Sequence, residues 1–165
     1  DKEAVLEKCS EFFYIDEKEG TDTMEEDLKK LYDEGKKAFG FYCGKGEWFL
    51  LTLKNIDFMS QMLPNVSKAS QSLDVSVLHA LILEKIFGID KENMAKQINL
   101  TYTKFFTEAI DGVDKGEFQC SFVLNPTRVT EIRDVAAAGE KMPQKSTYFY
   151  PKMITGMVMN NLGVD

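Results

Sequence analysis

The clearest pattern of apolar positions lies in the first third of the chain, where two aromatic-rich runs enclose the sequence Gly44-Lys45-Gly46-Glu47. The runs, residues 39–43 and 48–54, have the composition of β-strands, and glycines between such runs are typical of an antiparallel hairpin. A shorter apolar run at residues 12–15 predicts another strand, and residues 17–20 predict a turn. The glycines lack the spacing of a phosphate-binding loop, so the hairpin is the preferred interpretation.

Later in the chain, apolar residues recur three and four positions apart in several runs, which predicts amphipathic helices that end at glycines. The residues expected to cap or open these helices are Thr23, Asp74, Thr103 and Asn125. Residues 90–97 predict a short polar helix or a turn. Residues 55–73 form a long polar connection, which is either a mobile lid or contains a short helix.

Alternation of apolar and polar residues predicts further strands at residues 98–102 and 118–124, and a last one at residues 154–159. Hairpins and helical crossovers in this order predict an α+β fold, with a mostly antiparallel or mixed sheet. We expect the helices to pack on one face of that sheet. The length of 165 residues fits a single compact domain over residues 1–165.

The densest chemistry lies between two prolines, in residues 142–152. Candidate ligand or phosphate contacts in this stretch are Lys145, Ser146, Thr147, Tyr148, Tyr150 and Lys152. If residues 146–150 are extended, the period of two places Ser146, Tyr148 and Tyr150 on one face. That face either lines a ligand site or belongs to a strand whose Tyr rings are buried and whose hydroxyl groups reach water.

Composition limits the kinds of function. The net charge of −7 and the isoelectric point near 4.9 oppose nucleic-acid binding through a broad basic surface. No apolar run is long enough to span a membrane. Three cysteines without metal-ligand spacing favour reduced thiols and a cytoplasmic location. His79 is the only histidine, which opposes a zinc site or a Ser-His-Asp triad, and its helical position favours a histidine satisfied by local partners.

Three motifs carry a family resemblance: Leu73-Asp74-Val75-Ser76-Val77-Leu78-His79, Phe122-Val123-Leu124-Asn125-Pro126-Thr127, and residues 142–152 followed by Thr155-Gly156. Over most of residues 37–162 the chain resembles the C-terminal half of the bacterial and archaeal family catalogued as domain of unknown function 1015. The resemblance implies an N-terminal half with an Asp-Gly-His-His-Arg motif, a ParB- and sulfiredoxin-like fold, and similarity to free-serine kinases. This chain has no His-His pair, and it begins like a fragment of a longer protein.

The resemblance leaves three hypotheses. In the first, the chain is a non-catalytic C-terminal domain that binds no cofactor and completes a core or surface for the N-terminal half. In the second, it belongs to a small-molecule kinase that uses ATP or ADP with Mg²⁺, the lysines and hydroxyl groups of residues 145–152 contact phosphate, and support comes from Asp74, His79, Asn125 and Thr127. In the third, the acidic residues 16–34 bind a basic partner. Self-association stays open.

Overall fold

A four-stranded antiparallel sheet forms the centre of the fold in the computed structural model, which describes residues 2–147. Its strand order is β1-β3-β2-β4, with all neighbours antiparallel. The strands are β1 (Phe13–Glu19), β2 (Ala38–Gly44), β3 (Glu47–Leu53) and β4 (Ser121–Leu124). The predicted α+β class is confirmed. The strand predicted at residues 154–159 lies outside the described residues.

The central hairpin forms as its sequence predicts. Phe41 pairs with Phe49 and Tyr42 pairs with Trp48 across β2 and β3. The two turn residues, Lys45 and Gly46, have φ angles of 56° and 78°, and positive φ at both central positions is the geometry that fits the twist of a two-residue hairpin. The register between β2 and β3 shifts between Tyr42 and Gly44, which marks a β-bulge.

Helices connect and cover the strands. They are α1 (Lys2–Phe12), α2 (Met24–Asp33), α3 (Phe58–Met62), α4 (Lys68–Gln71), α5 (Asp74–Val77), α6 (Lys91–Lys96), α7 (Phe106–Asp114) and α8 (Val129–Ala137). A π-helix, Leu78–Ile86, continues directly from α5. The long connection at residues 55–73 therefore contains α3 and α4. No helix among residues 2–147 is long and apolar enough to cross a membrane.

Helices cover both faces of the sheet, so the expectation of helices on one face is wrong. One face presents Phe39, Phe41 and Leu51 to α1 and the π-helix. The opposite face presents Tyr42, Trp48 and Leu50 to α2 and α7. The reason is that β2 is buried along nearly its whole length, and a strand that is apolar on both sides needs cover on both sides.

Two of the predicted helix caps are replaced by contacts between distant parts of the chain. Asn125 was expected to cap a helix, but its side-chain amide donates to the carbonyl of Leu28 at 3.0 Å, and α8 begins later, after an N-cap at Arg128. Asp74 lies inside α5, after the N-cap Leu73, and its carboxylate pairs with Lys37. Local sequence patterns located these helical segments but assigned the two side chains to the wrong partners.

Other boundaries differ in detail. Thr23 precedes α2 as predicted, yet its side chain makes no capping hydrogen bond. Residues 17–20 were predicted as a turn, but β1 continues to Glu19. The strand predicted at residues 98–102 is absent from the described structure, because Gln97 and Asn99 have φ angles of 54° and 57°, which a β-strand does not allow. Thr103 lies before α7, which begins at Phe106.

Candidate ligand-binding cleft

A cleft of about 330 Å³ lies beside the π-helix. The π-helix, α4, α6 and the segment that follows α8 supply most of its walls. The lining residues are Leu63, Val66, Ser70, Ser76, His79, Ala80, Glu84, Lys91, Met94, Glu140, Lys141 and Pro143. Its volume lies at the lower end of the range of roughly 300–1,000 Å³ that is typical of small-molecule sites.

The wall that carries His79 is π-helical. In a π-helix each turn is wider than in an α-helix, and the backbone bonds join residues five positions apart. The bond from the Phe87 N–H group to the Ile82 carbonyl, 3.0 Å long, shows this spacing. Most apolar residues of the π-helix are buried against the sheet, so packing holds the wider turns in place. Such turns are frequent at functional sites.

His79 has an incompletely satisfied imidazole. Its Nε2 atom is buried and has no hydrogen-bond partner among residues 2–147. The ring lies edge-on to that of Tyr102, with centroids 6.4 Å apart. Burial lowers the pKa of His79, so the ring is neutral near pH 7. The expectation of a histidine satisfied by local partners does not hold for Nε2, and a buried polar atom without a partner calls for an explanation.

Glu140 fastens the segment that follows α8 to the start of α4. Its carboxylate accepts hydrogen bonds from the Ser67 N–H group at 2.6 Å, from the Ser67 hydroxyl at 2.7 Å, and from the Ser70 hydroxyl. Ser67 is the N-cap of α4, and its Oγ accepts from the Ser70 N–H group at 3.2 Å. The bonds from Ser70 and Ser67 hold the pKa of Glu140 below its usual value, so this carboxyl group is ionised near pH 7.

Most of the remaining lining is apolar, with charged groups that are exposed to solvent. The apolar residues are Leu63, Val66, Ala80, Met94 and Pro143. The exposed charged residues are Glu84, Lys91 and Lys141. Two lysines and two glutamates line the cleft, so their charges balance, and the oxygens of Glu140 already accept three hydrogen bonds. The cleft therefore combines an apolar body with an opening at which Lys91 and Lys141 can donate to a ligand.

A second polar cluster lies at the start of α5, just before the π-helix that contains His79. It is formed by Lys37, Asp74 and Glu131. The Lys37 ammonium is 2.9 Å from Asp74 Oδ1 and 3.5 Å from Glu131 Oε1. Asp74 is only 6% exposed. Burial raises the pKa of Asp74, and the Lys37 charge opposes that rise. We name these residues the ion cluster.

Neighbouring side chains complete the ion cluster. The Tyr32 hydroxyl donates to Glu131, and the Arg128 guanidinium lies over the Tyr32 ring, 4.1 Å from its centroid. Arg128 also pairs with Asp33. Burial, followed by the contact with Glu131, raises the pKa of Tyr32, which keeps its hydroxyl protonated as a donor. These contacts join α2, β2, α5 and α8, which gives the ion cluster a structural role.

In the stretch predicted as a ligand site, the described hydroxyl contacts are made with backbone carbonyl groups. The Ser146 hydroxyl donates to the Pro143 carbonyl at 2.6 Å, and the Thr127 hydroxyl donates to the Ser146 carbonyl at 2.9 Å. Lys145 is exposed, with a φ angle of 60°, and Thr147 is exposed beside it. Tyr148, Tyr150 and Lys152 lie outside the described residues.

The predicted supporting residues do not converge. His79 lines the cleft, Asp74 belongs to the ion cluster, and Asn125 bonds the Leu28 carbonyl. Neither Asp74 nor Lys145 lines the cleft, so the convergence that a kinase-like site requires is not found among residues 2–147. The structure instead brings together polar residues that sequence reasoning missed: Ser67, Ser70, Ser76, Glu84, Lys91, Glu140 and Lys141.

Only weak signals in the sequence point to the missed residues. Ser67 stands where an N-cap is preferred, three positions before Ser70, and both lie in the connection that was flagged for its length. Nothing in the local sequence shows that Glu140 returns to this connection. Among residues 2–147, no group of three or more His, Cys, Asp or Glu side chains could hold a metal ion.

Comparison with protein-family models, with curated proteins and with solved structures gave no match to this chain. The resemblance described from the sequence motifs therefore stays an expectation, and the cleft is the basis for assigning a function.

Proposed function

We propose that this chain is a ligand-binding domain without a covalent reaction of its own, and that the cleft holds a small apolar carboxylic acid. The observation that carries the proposal is an apolar cavity of about 330 Å³ whose lining includes the exposed Lys91 and Lys141 and the imidazole of His79. An apolar pocket with a few convergent polar groups is the usual form of a small-molecule site.

The protonation states in the cleft favour binding over acid–base catalysis. A serine nucleophile needs a neighbouring base that accepts its proton. The Ser70 hydroxyl donates to Glu140, but the lowered pKa of Glu140 makes this carboxylate a weak base near pH 7. His79 Nε2 is covered by protein atoms, so it cannot receive a proton from a ligand without rearrangement. The remaining polar groups suit recognition of a bound molecule.

The donors at the opening favour a carboxylate over an ammonium head group. Lys91 and Lys141 can donate to a carboxylate, whereas the oxygens of Glu140 already accept from the serines and leave Glu84 to accept from an ammonium. The apolar tail of the ligand would lie against Val66, Met94 and their neighbours. This arrangement separates an apolar end from a charged end, as a short-chain carboxylic acid requires.

The broader expectations belong to this proposal as well. From the family resemblance we infer that the domain works in the cytoplasm beside an N-terminal half, and that ATP or ADP with Mg²⁺ binds to that half. Support for a separate nucleotide site comes from the position of Lys145 and Asp74, because neither lines the cleft. In the kinase alternative, this domain would instead contribute phosphate or substrate contacts through residues 145–152.

The test is a thermal-shift titration of the chain with hexanoate, hexylamine and indole, and with ATP and ADP plus Mg²⁺. A ligand that binds only the folded protein raises the unfolding midpoint. We expect hexanoate to raise it most, because its carboxylate meets the two lysines. A rise with hexylamine alone would contradict the assigned head group, and a rise with ATP alone would favour the kinase alternative.

A pair of valine variants shows whether the cleft is responsible. Val66 lines the cleft and is 36% exposed, so Val66→Trp places a large side chain in it at little cost to folding. Val129 is 77% exposed on α8 and does not line the cleft, which makes Val129→Trp the matched control. We expect the hexanoate shift to disappear in V66W and to persist in V129W. Equal shifts in both variants would refute the cleft as the site.

A further inference from the structure

Cys43 lies on β2, and Cys120 directly precedes the neighbouring strand β4. The antiparallel register of β2 and β4 pairs Phe41 with Phe122 and Tyr42 with Ser121. The next pair in the same register is Cys43 and Cys120. Directly opposite residues in antiparallel strands have Cα atoms about 4.5–5.5 Å apart, and a disulfide requires a Cα separation of roughly 4.4–6.8 Å. The register therefore meets the first geometric requirement for a bond.

Both thiols lie on the same face of the sheet. Cys43 and Cys120 pack against the core cluster that contains Phe41. The preceding pair on that face, Phe41 and Phe122, stacks with ring centroids 4.8 Å apart and planes 11° from parallel. This stacking shows that facing side chains on this side of β2 and β4 lie in contact. Cys43 is the extra residue of the bulge in the pairing with β3, and its side chain still packs on the face that carries Phe41.

The Cys120 thiol contributes to the electrostatics of Cys43. Burial, followed by the neighbouring Cys120 thiol, raises the pKa of Cys43 to about 11. Burial also raises the pKa of Cys120. For Cys9, which is fully buried on α1, burial is the only cause of its raised pKa. The chain thus contains one adjacent pair of thiols and one separate thiol, all three of them free.

We propose that Cys43 and Cys120 form a cross-strand dithiol that closes to a disulfide by exchange with a low-molecular-weight disulfide such as oxidised glutathione. One thiolate attacks a glutathione sulfur, breaks the S–S bond and releases one glutathione thiolate. The second cysteine thiolate attacks the protein sulfur of this mixed disulfide and releases the other glutathione. Both cysteine protons pass to solvent or to the released thiolates, and the two electrons reduce the glutathione disulfide to two thiols.

The bond would act on the edge of the sheet. Within residues 2–147, β4 is an edge strand that pairs with β2 alone. It is four residues long, and its residues are half-buried. It leads into α8 and then to Glu140, which lines the cleft. A disulfide from β2 to the start of β4 would hold β4 in register. It would thereby stabilise the strand that leads, through α8, to the cleft wall containing Glu140.

The experiment is incubation of the reduced chain with oxidised glutathione near pH 9, followed by peptide mapping and thiol counting after denaturation. The alkaline pH compensates for the raised pKa of both thiols. We expect one linked peptide pair containing Cys43 and Cys120, and a fall from three free thiols to one. The unfolding midpoint should rise by roughly 5–15 °C, because a cross-link over a long loop restricts the unfolded chain.

Variants in which one of the three cysteines is replaced serve as controls. Cys9→Ala should still form the bond, whereas Cys43→Ala and Cys120→Ala should give only mixed disulfides with glutathione. If a variant does not fold, peptide mapping of the wild-type chain is sufficient to test the proposal. Retention of three thiols, a linkage that includes Cys9, or mixed disulfides as the only product would overturn the proposal. This experiment contains no hexanoate, so the outcome of the disulfide test does not depend on the proposed ligand.

Discussion

The ion cluster and the cleft contain polar residues from the same helical run, and both Asp74 and His79 bury side-chain atoms without a well-aligned hydrogen bond. They differ because an opposite charge lies beside Asp74. Asp74, at the start of α5, has the Lys37 ammonium 2.9 Å away and belongs to a set of contacts that joins four elements. His79, further along in the π-helix, has a buried Nε2 without a partner in the described part of the chain. The Lys37 charge offsets part of the cost of burying Asp74, whereas no described group offsets the cost of burying His79 Nε2.

This difference teaches how to separate structural from functional polar residues. Both residues stand in one sequence motif and both were candidates for the same site. Only the partners distinguish them, because the Lys37 ammonium lies beside Asp74 and no described side chain bonds His79 Nε2. Mutations should therefore have opposite effects in the two regions, and the following predictions run from the largest effect to the smallest.

Removal of the central cation should produce the largest loss. In Lys37→Met, the carboxylates of Asp74 and Glu131 remain close together without their shared ammonium. We expect the free energy of unfolding to fall by about 3 kcal/mol near pH 7, as is typical when one member of a buried ion pair is removed. Urea unfolding of wild type and variant measures the difference. The control Lys29→Met removes an exposed lysine paired with Asp33 and should cost about 0.5 kcal/mol or less.

The loss in Lys37→Met should depend on pH in a defined direction. Burial raises the pKa of Asp74 above its ordinary value of 3.8, so the folded state holds this proton more tightly than the unfolded state. Ionisation of Asp74 therefore destabilises the fold as the pH rises, and more so without Lys37. The gap between wild type and variant should narrow as the pH falls toward 3.8. A gap that stays constant would show that Asp74 does not contribute.

Replacement of the unsatisfied imidazole of His79 should raise the free energy of unfolding, in contrast to Lys37→Met. His79→Phe keeps a ring against Tyr102 and removes the buried Nε2 atom, so we expect the free energy of unfolding to rise by about 1 kcal/mol. The matched control is Asn125→Leu, which removes a buried polar group that does have a partner, the Leu28 carbonyl, and should lower it by about 1 kcal/mol. If both variants lose stability to the same extent, His79 is an ordinary structural residue.

Glu140 lies between the two extremes, since it belongs to the cleft and is fully paired. Glu140→Gln places an amide where the Ser67 N–H and the serine hydroxyls donate, so the unfolding midpoint should fall near pH 7. The lowered pKa of Glu140 means that its stabilisation is present above pH 4.5 and is lost as the pH falls through the folded-state pKa. The unfolding midpoints of wild type and Glu140→Gln should therefore converge in acid.

The smallest effect is expected at Lys145. Its side chain is exposed and does not line the cleft, so Lys145→Ala should change the free energy of unfolding by less than about 0.5 kcal/mol. Hexanoate should stabilise this variant as it stabilises wild type. A nucleotide-induced shift that disappears in Lys145→Ala would restore the phosphate-contact hypothesis, and calorimetric titration with ATP would measure it.

The parts of the fold that sequence predicts are those governed by local patterns. The hairpin of β2 and β3 has turn glycines and alternating aromatics, and α2 has apolar residues at helical spacing. The failures involve contacts between distant residues. Asn125 bonds the Leu28 carbonyl instead of capping α8, and the alternating residues 98–102 are not a strand because left-handed residues interrupt them. Local preference gave way to tertiary contacts at these positions.

The cleft was less accessible to prediction than the fold. His79 was named as a candidate, but the π-helix that carries it has no distinctive local sequence, because the same apolar residues also suit an α-helix. Glu140 and Ser67 are far apart in the chain, and their bonds form only when the segment after α8 returns to α4. The hydroxyl-rich motif attracted attention through its composition, although Ser146 and Thr127 bind nearby carbonyl groups.

The most direct test of the account is an NMR titration that follows the imidazole signals of His79. Because the chain has a single histidine, these signals need no further assignment. We predict that hexanoate shifts the ring signals saturably in wild type and in Val129→Trp, and that the shift is lost in Val66→Trp. Ring signals that stay unchanged while hexanoate raises the unfolding midpoint would contradict the claim that the cleft beside the π-helix is the ligand site.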